Sequence, residues 1–329
     1  MIRPILLSII SFPIAAFSAS TVNSSSAASQ QGVQIITLPD RLRVELNSHL
    51  FTEYFFKDVP RPYCYPVLGP GEAPMTRDWP MKSPPDEEHD HKHHRSLWFA
   101  HGAINGQDFW TEQGKFGKTI HEGFAEIRSG SDVGVIKSTN KWVSAEGAVV
   151  CTDDRTLRFH KPGSDGERIL DFEITLHASN GELTLGDTKE GTMAIRLAET
   201  MRLKGKVGHG HIVNSEGVHD DQTWGKRANW CDYFGPVNGE TVGVAMFDHP
   251  GNPRHPTWWH VRDYGLFAAN PFGEHDFEKL ADATAGNLVV PAGQSVTFRY
   301  RFYFHKGDEQ KAKVADHYEA YIKSSTGKL

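Results

Sequence analysis

In residues 295–305, SVTFRYRFYFH, apolar and polar side chains alternate almost without a break. Val296, Phe298, Tyr300, Phe302 and Phe304 fall on one face of an extended chain, and Thr297, Arg299, Arg301 and Tyr303 on the other. Successive strand side chains point to opposite sides, so this pattern demands a β-strand with one buried and one solvated face. The same period runs through RILDFEITLHAS (168–179), where Phe172, Ile174 and Leu176 alternate with Glu173, Thr175 and His177. That polar row reads as a solvated outer face or as a row presented to a sugar. VGVIKSTNKWVS, GAVVCTDDRTLRFH, TMAIRLAETM and TVGVAMFDH read as further strands. VQIITL and RLRVEL flank Pro39-Asp40 as a hairpin, with LFTEYFF and YCYPVLG next. Only the C-terminus has a helical period: Val314, Tyr318, Tyr321 and Ile322 share one face, with Asp308 placed as N-cap. The expectation is an all-β chain, one large β-sandwich over residues 32–306, with a helix in 307–329 packed on the sheet edge.

The first 18 residues, MIRPILLSIISFPIAAFS, combine one basic residue (Arg3), an apolar run from Ile5 to Phe17 and small residues at Ala16 and Ser18. This is the layout of a secretory signal cleaved after Ser18. Residues 19–31 then form a flexible Ser/Ala/Gln-rich linker, and the mature protein is expected in the periplasm or outside the cell. No other stretch reaches the roughly 20 apolar residues of a membrane helix, so no membrane partner is expected after cleavage. The net charge of −6 and the absence of a Lys/Arg block give no electrostatic reason to expect nucleic acid. Cys64, Cys151 and Cys231 are too few and too scattered to be a disulfide framework.

Chemistry concentrates in residues 86–110, DEEHDHKHHRSLWFAHGAINGQDFW, which hold five of the eighteen histidines. A Pro/Gly-rich loop over residues 69–85 leads into them. If HDHKHHR is extended, His89, His91 and His93 lie on one side and His94 on the other. SLWFA reads as a buried strand that carries the cluster inward. Imidazole there can bind a metal, move a proton near neutral pH or donate to a hydroxyl; a surface loop or carbonyl-satisfied histidines would read the same way. A second dense region, residues 248–273, contains TWWHVRDYG. As a strand it puts Trp258, His260 and Arg262 on one face, a set suited to a sugar or to a structural Arg–carboxylate pair. KEGTMAIRL offers Glu190 and Arg196, and WGKRANWCDYFG offers Trp224 and Trp230, while NSEGVHDDQTW could form a rim. Both dense regions are too polar to be buried without partners, and each is joined to an aromatic run, so they should converge on one cleft.

DHKHHRSLWFAHGAINGQDFW, KEGTMAIRL, NSEG, WGKRANWCDYFG, FDHPGNPRHPTWWHVRDYGLFAANPFG and FRYRFYFHKGD together resemble the PmoA-like family of secreted bacterial proteins, over nearly all of residues 32–305. The resemblance implies a secreted β-rich protein, similar in strand pattern to the galactose-mutarotase-like sandwiches of carbohydrate-active proteins. The family label refers to methane oxygenase, but nothing in the mature chain resembles a bundle of spanning helices.

Three functions follow. The first is a carbohydrate-processing enzyme, lyase, hydrolase or epimerase, acting on a small-molecule or oligosaccharide substrate. His94, His260 and Glu190 are its catalytic candidates, and Arg95, Trp98, His101, Asp108, Trp110, Arg196, Trp230, Trp258, Arg262 and Asn270 bind substrate. The second is a metal-dependent oxidoreductase or hydrolase holding a divalent cation on His91, His93 and one of His101 or His260. The third is a non-catalytic carbohydrate-binding protein.

Overall fold

A strand cannot satisfy its own backbone N–H and C=O groups, so each alternating segment must find neighbours. The structure, a computed structural model, describes Met1 and residues 31–326. The expected leader and linker, apart from Met1 and Gln31, lie outside the described residues. In chain order the strands are β1 (Val33–Thr37), β2 (Arg41–Leu46), β3 (His49–Phe55), β4 (Tyr63–Val67), β5 (Leu97–His101), β6 (Lys118–Arg128), β7 (Val133–Val143), β8 (Val149–His160), β9 (Arg168–His177), β10 (Leu183–Leu185), β11 (Gly191–Arg196), β12 (His211–Asn214), β13 (Trp230–Val237), β14 (Glu240–Asp248), β15 (Trp258–Val261), β16 (Leu266–Asn270), β17 (Leu288–Val290) and β18 (Ser295–Lys306). Helices α1 (Glu274–Glu278) and α2 (Val314–Thr326) complete the set.

Two eight-stranded sheets result, one in the order β1-β2-β3-β4-β5-β11-β16-β15 and the other β12-β13-β14-β18-β9-β8-β7-β6, with β10 and β17 as a separate pair. The sheets pack face to face through rings from both. Phe51 of β3 meets Phe159 of β8 at 5.9 Å and Phe304 of β18 at 5.6 Å. Phe99 of β5 meets Phe172 of β9 at 6.3 Å and Phe298 of β18 at 6.4 Å. The expected all-β sandwich is therefore what forms, and the alternation in β9 and β18 is realised: Phe172, Ile174, Leu176, Phe298, Tyr300, Phe302 and Phe304 are buried. On the opposite face Glu173 pairs with Arg299 at 2.8 Å and Thr175 bonds Thr297 at 2.8 Å, a solvated cross-strand ladder.

The C-terminal helix departs from expectation. It lies on the face of the second sheet rather than its edge, because Val213, Ala245, Phe247 and Tyr303 form an apolar patch that Val314, Tyr318 and Tyr321 cover. Trp230, expected to bind substrate, belongs to this patch and is thereby removed from any site on the first sheet. Asp308 caps the turn ahead of the helix, accepting from the N–H of Lys311 at 2.8 Å. The three cysteines are buried and free. Among the described residues no helix is long and apolar enough to cross a membrane.

One charged pair lies inside the sandwich. Arg155 donates twice to Asp153 at 3.0 Å, and the same carboxylate accepts from Asn140 at 2.7 Å and from the indole of Trp142 at 2.6 Å. Both charged side chains are fully buried. Removing one partner of such a pair strands the other's charge. We therefore expect Asp153→Ala to cost about 3–5 kcal/mol in chemical denaturation, and the double variant D153A/R155M to recover part of that loss.

Candidate active site

The site lies on the outer face of the first sheet, turned away from the core. In β5, Leu97 and Phe99 point into the sandwich while Trp98 and Ala100 point out, and β11 and β16 alternate in the same way. Strand pairing aligns Trp98 with Ala194, Ala194 with Ala268, and Ala268 with His260. Trp98 and His260 therefore stand at two ends of one cross-strand row, about 14 Å apart across three strand spacings, with alanines between them. The alanines are themselves covered, packed in one cluster with Tyr63, Tyr65, Trp98, Trp110 and Tyr264.

The histidine segment does not continue as a strand. His91 has a φ of 37°, in the left-handed region, and a turn at Lys92 brings His91 and His94 onto the same side. Their rings stack at 4.8 Å, and His91 also stacks on Tyr264 at 5.1 Å. His94 stacks on Trp98 at 5.3 Å, Trp98 meets Trp110 at 5.3 Å, and His93 stands edge-on to His94 at 4.4 Å. His89 goes elsewhere, stacking on Trp79 at 4.2 Å. The strict alternation expected for this stretch thus fails, but its convergence with the WWHVRDYG segment holds, through Tyr264.

Buried arginines fix the cluster. The segment after the loop at residues 69–75 bridges to the end of β11 at Thr76 and Leu197, which puts Arg77 beside Arg196. Asp90 takes Arg77 on one side and Arg196 on the other, the latter at 3.1 Å. Arg77 also donates to the carbonyls of Asp90 at 2.8 Å and His91 at 3.0 Å, so the loop is anchored through its backbone. Arg95 grips Glu112 with two bonds of 2.8 and 2.7 Å. Arg61 reaches the same carboxylate at 3.5 Å and the carbonyl of His93 at 3.1 Å.

These contacts determine the state of each imidazole. Arg196 can only donate, so His94 Nδ1, 2.9 Å from its Nη1, is an acceptor and the ring proton sits on Nε2. Burial, followed by the charge of Arg196, holds His94 well below its ordinary pKa. The Trp224 indole donates to His260 Nδ1 at 3.0 Å, imposing the same tautomer, and burial pushes His260 down to about 3. His93 is pushed down to about 4 by burial and by Arg61. These three rings are neutral at neutral pH. His94 and His260 are accordingly Nε2–H donors rather than the proton carriers expected. His91 differs: its ring is 40% exposed, and it is paired through Nδ1 with Asp90 Oδ2 at 2.6 Å. When Nδ1 donates to that carboxylate, the Nε2 lone pair is free to take a proton. Burial works to raise the Asp90 carboxyl, but the bond from His91 and the charges of Arg196 and Arg77 override it and hold the group well below the usual carboxylate range.

Other expected site residues have structural duties. His101 donates from Nε2 to the carbonyl of Gly186 at 2.9 Å, is fully buried, and is pushed down to about 4 by burial. Asp108 accepts from the backbone N–H of Trp110 at 2.7 Å and so positions that indole. Asn270 is consumed by the carbonyl of Thr188 and the N–H of Phe272, each at 2.9 Å. The indole of Trp258 is taken by Glu278 at 2.7 Å, with Arg227 over its ring. Glu190 pairs with Lys189 at 3.3 Å on the rim of the site, where its charge reaches Tyr264. Arg262, just past β15, lies over Tyr264 and Trp224 and lines a neighbouring cleft of about 240 Å³ with Asp221 and Asp263. No group of three or more His, Cys, Asp or Glu side chains is arranged to hold a metal ion among the described residues. His91 and His93, expected as ligands, instead meet edge to face at 5.7 Å.

Sequence reasoning missed Arg61, Arg77 and Tyr264. Nothing in VPRPYCY or MTRDWP signals that its arginine is buried. Tyr264 was within reach, since it ends the VRDYG turn next to a residue already singled out.

Fold and site together define a two-sheet β-sandwich protein with a nearly closed site of imidazoles, indoles and guanidiniums on the outer face of one sheet. The chain belongs to the DUF6807 family, a family of unknown function, whose profile matches residues 41–319. No curated protein matches it. Among solved structures it is similar to a candidate kojibiose phosphorylase from human microbiome, with 10% identity and a TM-score of 0.31 over 65% of this chain and 25% of that one. It is also similar to a polysaccharide lyase, with 10% identity and a TM-score of 0.27 over 84% of this chain and 33% of that one. The chain spans about a quarter and a third of the lengths of these two proteins.

The buried histidines His93, His94, His101 and His260 make the fold acid-sensitive. Each is neutral when folded but binds a proton below its ordinary pKa of about 6.5 when unfolded, so stability falls as pH drops from about 6.5 toward 4. Asp90, depressed in the fold, adds a further loss as pH falls below about 4. Urea denaturation across pH 4–7 should show this slope. His101→Gln, which keeps a donor for Gly186 and removes the titration, should make it shallower by about one proton.

Proposed function

We propose that this protein is a carbohydrate-processing enzyme and that the outer face of its first sheet binds a sugar ring. One observation carries the reading: the indole N–H groups of Trp98 and Trp110, both fully buried, have no acceptor in the protein, and they sit beside stacked rings and imidazole donors. A buried polar group left unpaired costs about 1–3 kcal/mol, so such groups mark where a polar partner belongs. A sugar has the matching character, with C–H faces for flat rings and hydroxyls for the donors around them.

The Asp90–His91 pair is the proton carrier in this reading. Asp90 orients the imidazole, and His91 Nε2 removes a proton from a sugar carbon or hydroxyl, or returns one to a leaving oxygen. His94 Nε2–H donates to oxygen on which negative charge develops, and Arg196 keeps that imidazole neutral and correctly turned. The roles fit a lyase or an epimerase, whose chemistry starts with proton abstraction, as well as a hydrolase. Glu190 on the rim is the candidate partner acid. The leader-like residues 1–18 and the PmoA-like motifs make export part of the reading: periplasmic protein should have an intact mass corresponding to cleavage near Ser18.

Turnover is tested by following a panel of glycosides and sugar acids by NMR with the mature protein. His91→Gln should reduce turnover about 100-fold or more, the range for loss of a general acid–base group, with little change in melting temperature because the ring is half exposed. Binding without turnover of any sugar would leave a binding protein. Unimpaired turnover in the variant would remove His91 from the chemistry.

A further inference from the structure

The same face is short of hydrogen-bond acceptors. Four guanidiniums converge on the cluster, from Arg61, Arg77, Arg95 and Arg196, and three of them are fully buried. Glu112 is shared by Arg95 and Arg61, and Asp90 by Arg77 and Arg196. Asp108 adds a third carboxylate whose charge reaches Arg61, yet its oxygens are occupied by Trp110 and Thr111. With Glu199, whose charge reaches Arg196, these four cations face four carboxylates. The next guanidinium, Arg202, pairs with Glu88 and with the same Glu199, and Arg262 is turned to the neighbouring cleft.

The unmatched atoms have a chemical bias. Arg61 Nη2, Arg77 Nε, Arg196 Nε, Trp98 Nε1 and Trp110 Nε1 are buried without a partner, and each can only donate. Of the other unpartnered atoms near it, His93 Nδ1 and Thr192 Oγ1 can act either way, and Glu199 Oε1 can accept. A neutral sugar's hydroxyls could accept from this set, but each brings an O–H of its own that would lack an acceptor here. A carboxylate brings two oxygens, acceptor sites only, and its charge strengthens each hydrogen bond it accepts. Burial pushes Arg61 and Arg196 down to about 10.

We infer that the ligand of this face is a sugar acid, a pyranose bearing a carboxylate, held by the guanidinium and indole donors around Arg61, Trp98 and Trp110. The inference rests on the carbohydrate reading of the site. A carboxylate there would also acidify the adjacent C–H, the kind of proton that the Asp90–His91 pair is placed to move.

The test is calorimetric titration of the folded protein with methyl glucuronide and methyl galacturonide against methyl glucoside and methyl galactoside, with glucose 6-sulfate and glucose 6-phosphate as further arms. The uronides should bind at least about tenfold more tightly than their neutral counterparts, the worth of one charge-assisted hydrogen bond, and added salt should reduce the difference. Trp110→Phe, which deletes an N–H and keeps a ring, and Arg61→Lys should each narrow that preference, with thermal melts confirming the fold. Equal binding of the neutral glycosides would overturn the carboxylate and leave the carbohydrate reading standing. So would a preference for the sulfate or phosphate ester. A uronide preference untouched in both variants would place the carboxylate elsewhere and defeat the assignment. Binding of no sugar at all would defeat both readings.

Discussion

The carboxylate of Asp90 sits between two buried guanidiniums, Arg77 and Arg196, that come from segments more than a hundred residues apart. Without it, two like charges would face each other in a region from which water is excluded. With it, the loop before β5 is tied to the end of β11, and the His91 ring comes to rest on His94 and Tyr264. The stacked cluster, the tautomer of His94 and the exposure of His91 all follow from where this one carboxylate is held.

Burial divides the histidines into two kinds. Those pressed against arginine or indole lose their charge and become fixed donors, as His94 and His260 do. His91, one turn further out, keeps contact with solvent and a carboxylate partner. A site with both kinds can polarise an oxygen and move a proton in the same step, because the two tasks require opposite environments. The sandwich beneath supplies rigidity: the inner residues of β5 and β11 lock into the core while their outer residues build the candidate site.

Legibility differed by element. The strands of residues 168–177 and 295–306 could be read directly, since a two-residue period has one structural meaning. The faces of Trp258 and His260 followed from the same rule. The histidine segment misled because its period matched a strand, whereas a turn at Lys92, stabilised by contacts from Arg77, overrode local preference. Trp230 misled because an aromatic beside a polar run looks the same under a helix as in a cleft. The proposed proton carrier moves from His94 to His91 on exposure and the Asp90 partner, and sequence gives no measure of either.

The sequence by itself determined the two-sheet β architecture, the C-terminal helix and the convergence of two distant polar stretches, because side-chain periodicity and the cost of unpaired burial are local properties of the chain. Only the tertiary structure decided which histidine stays exposed beside a carboxylate, which arginines are buried and how many carboxylates they share. Those depend on distances between segments far apart in the chain, on the water excluded between them, and on which of two nitrogens a neighbour already occupies.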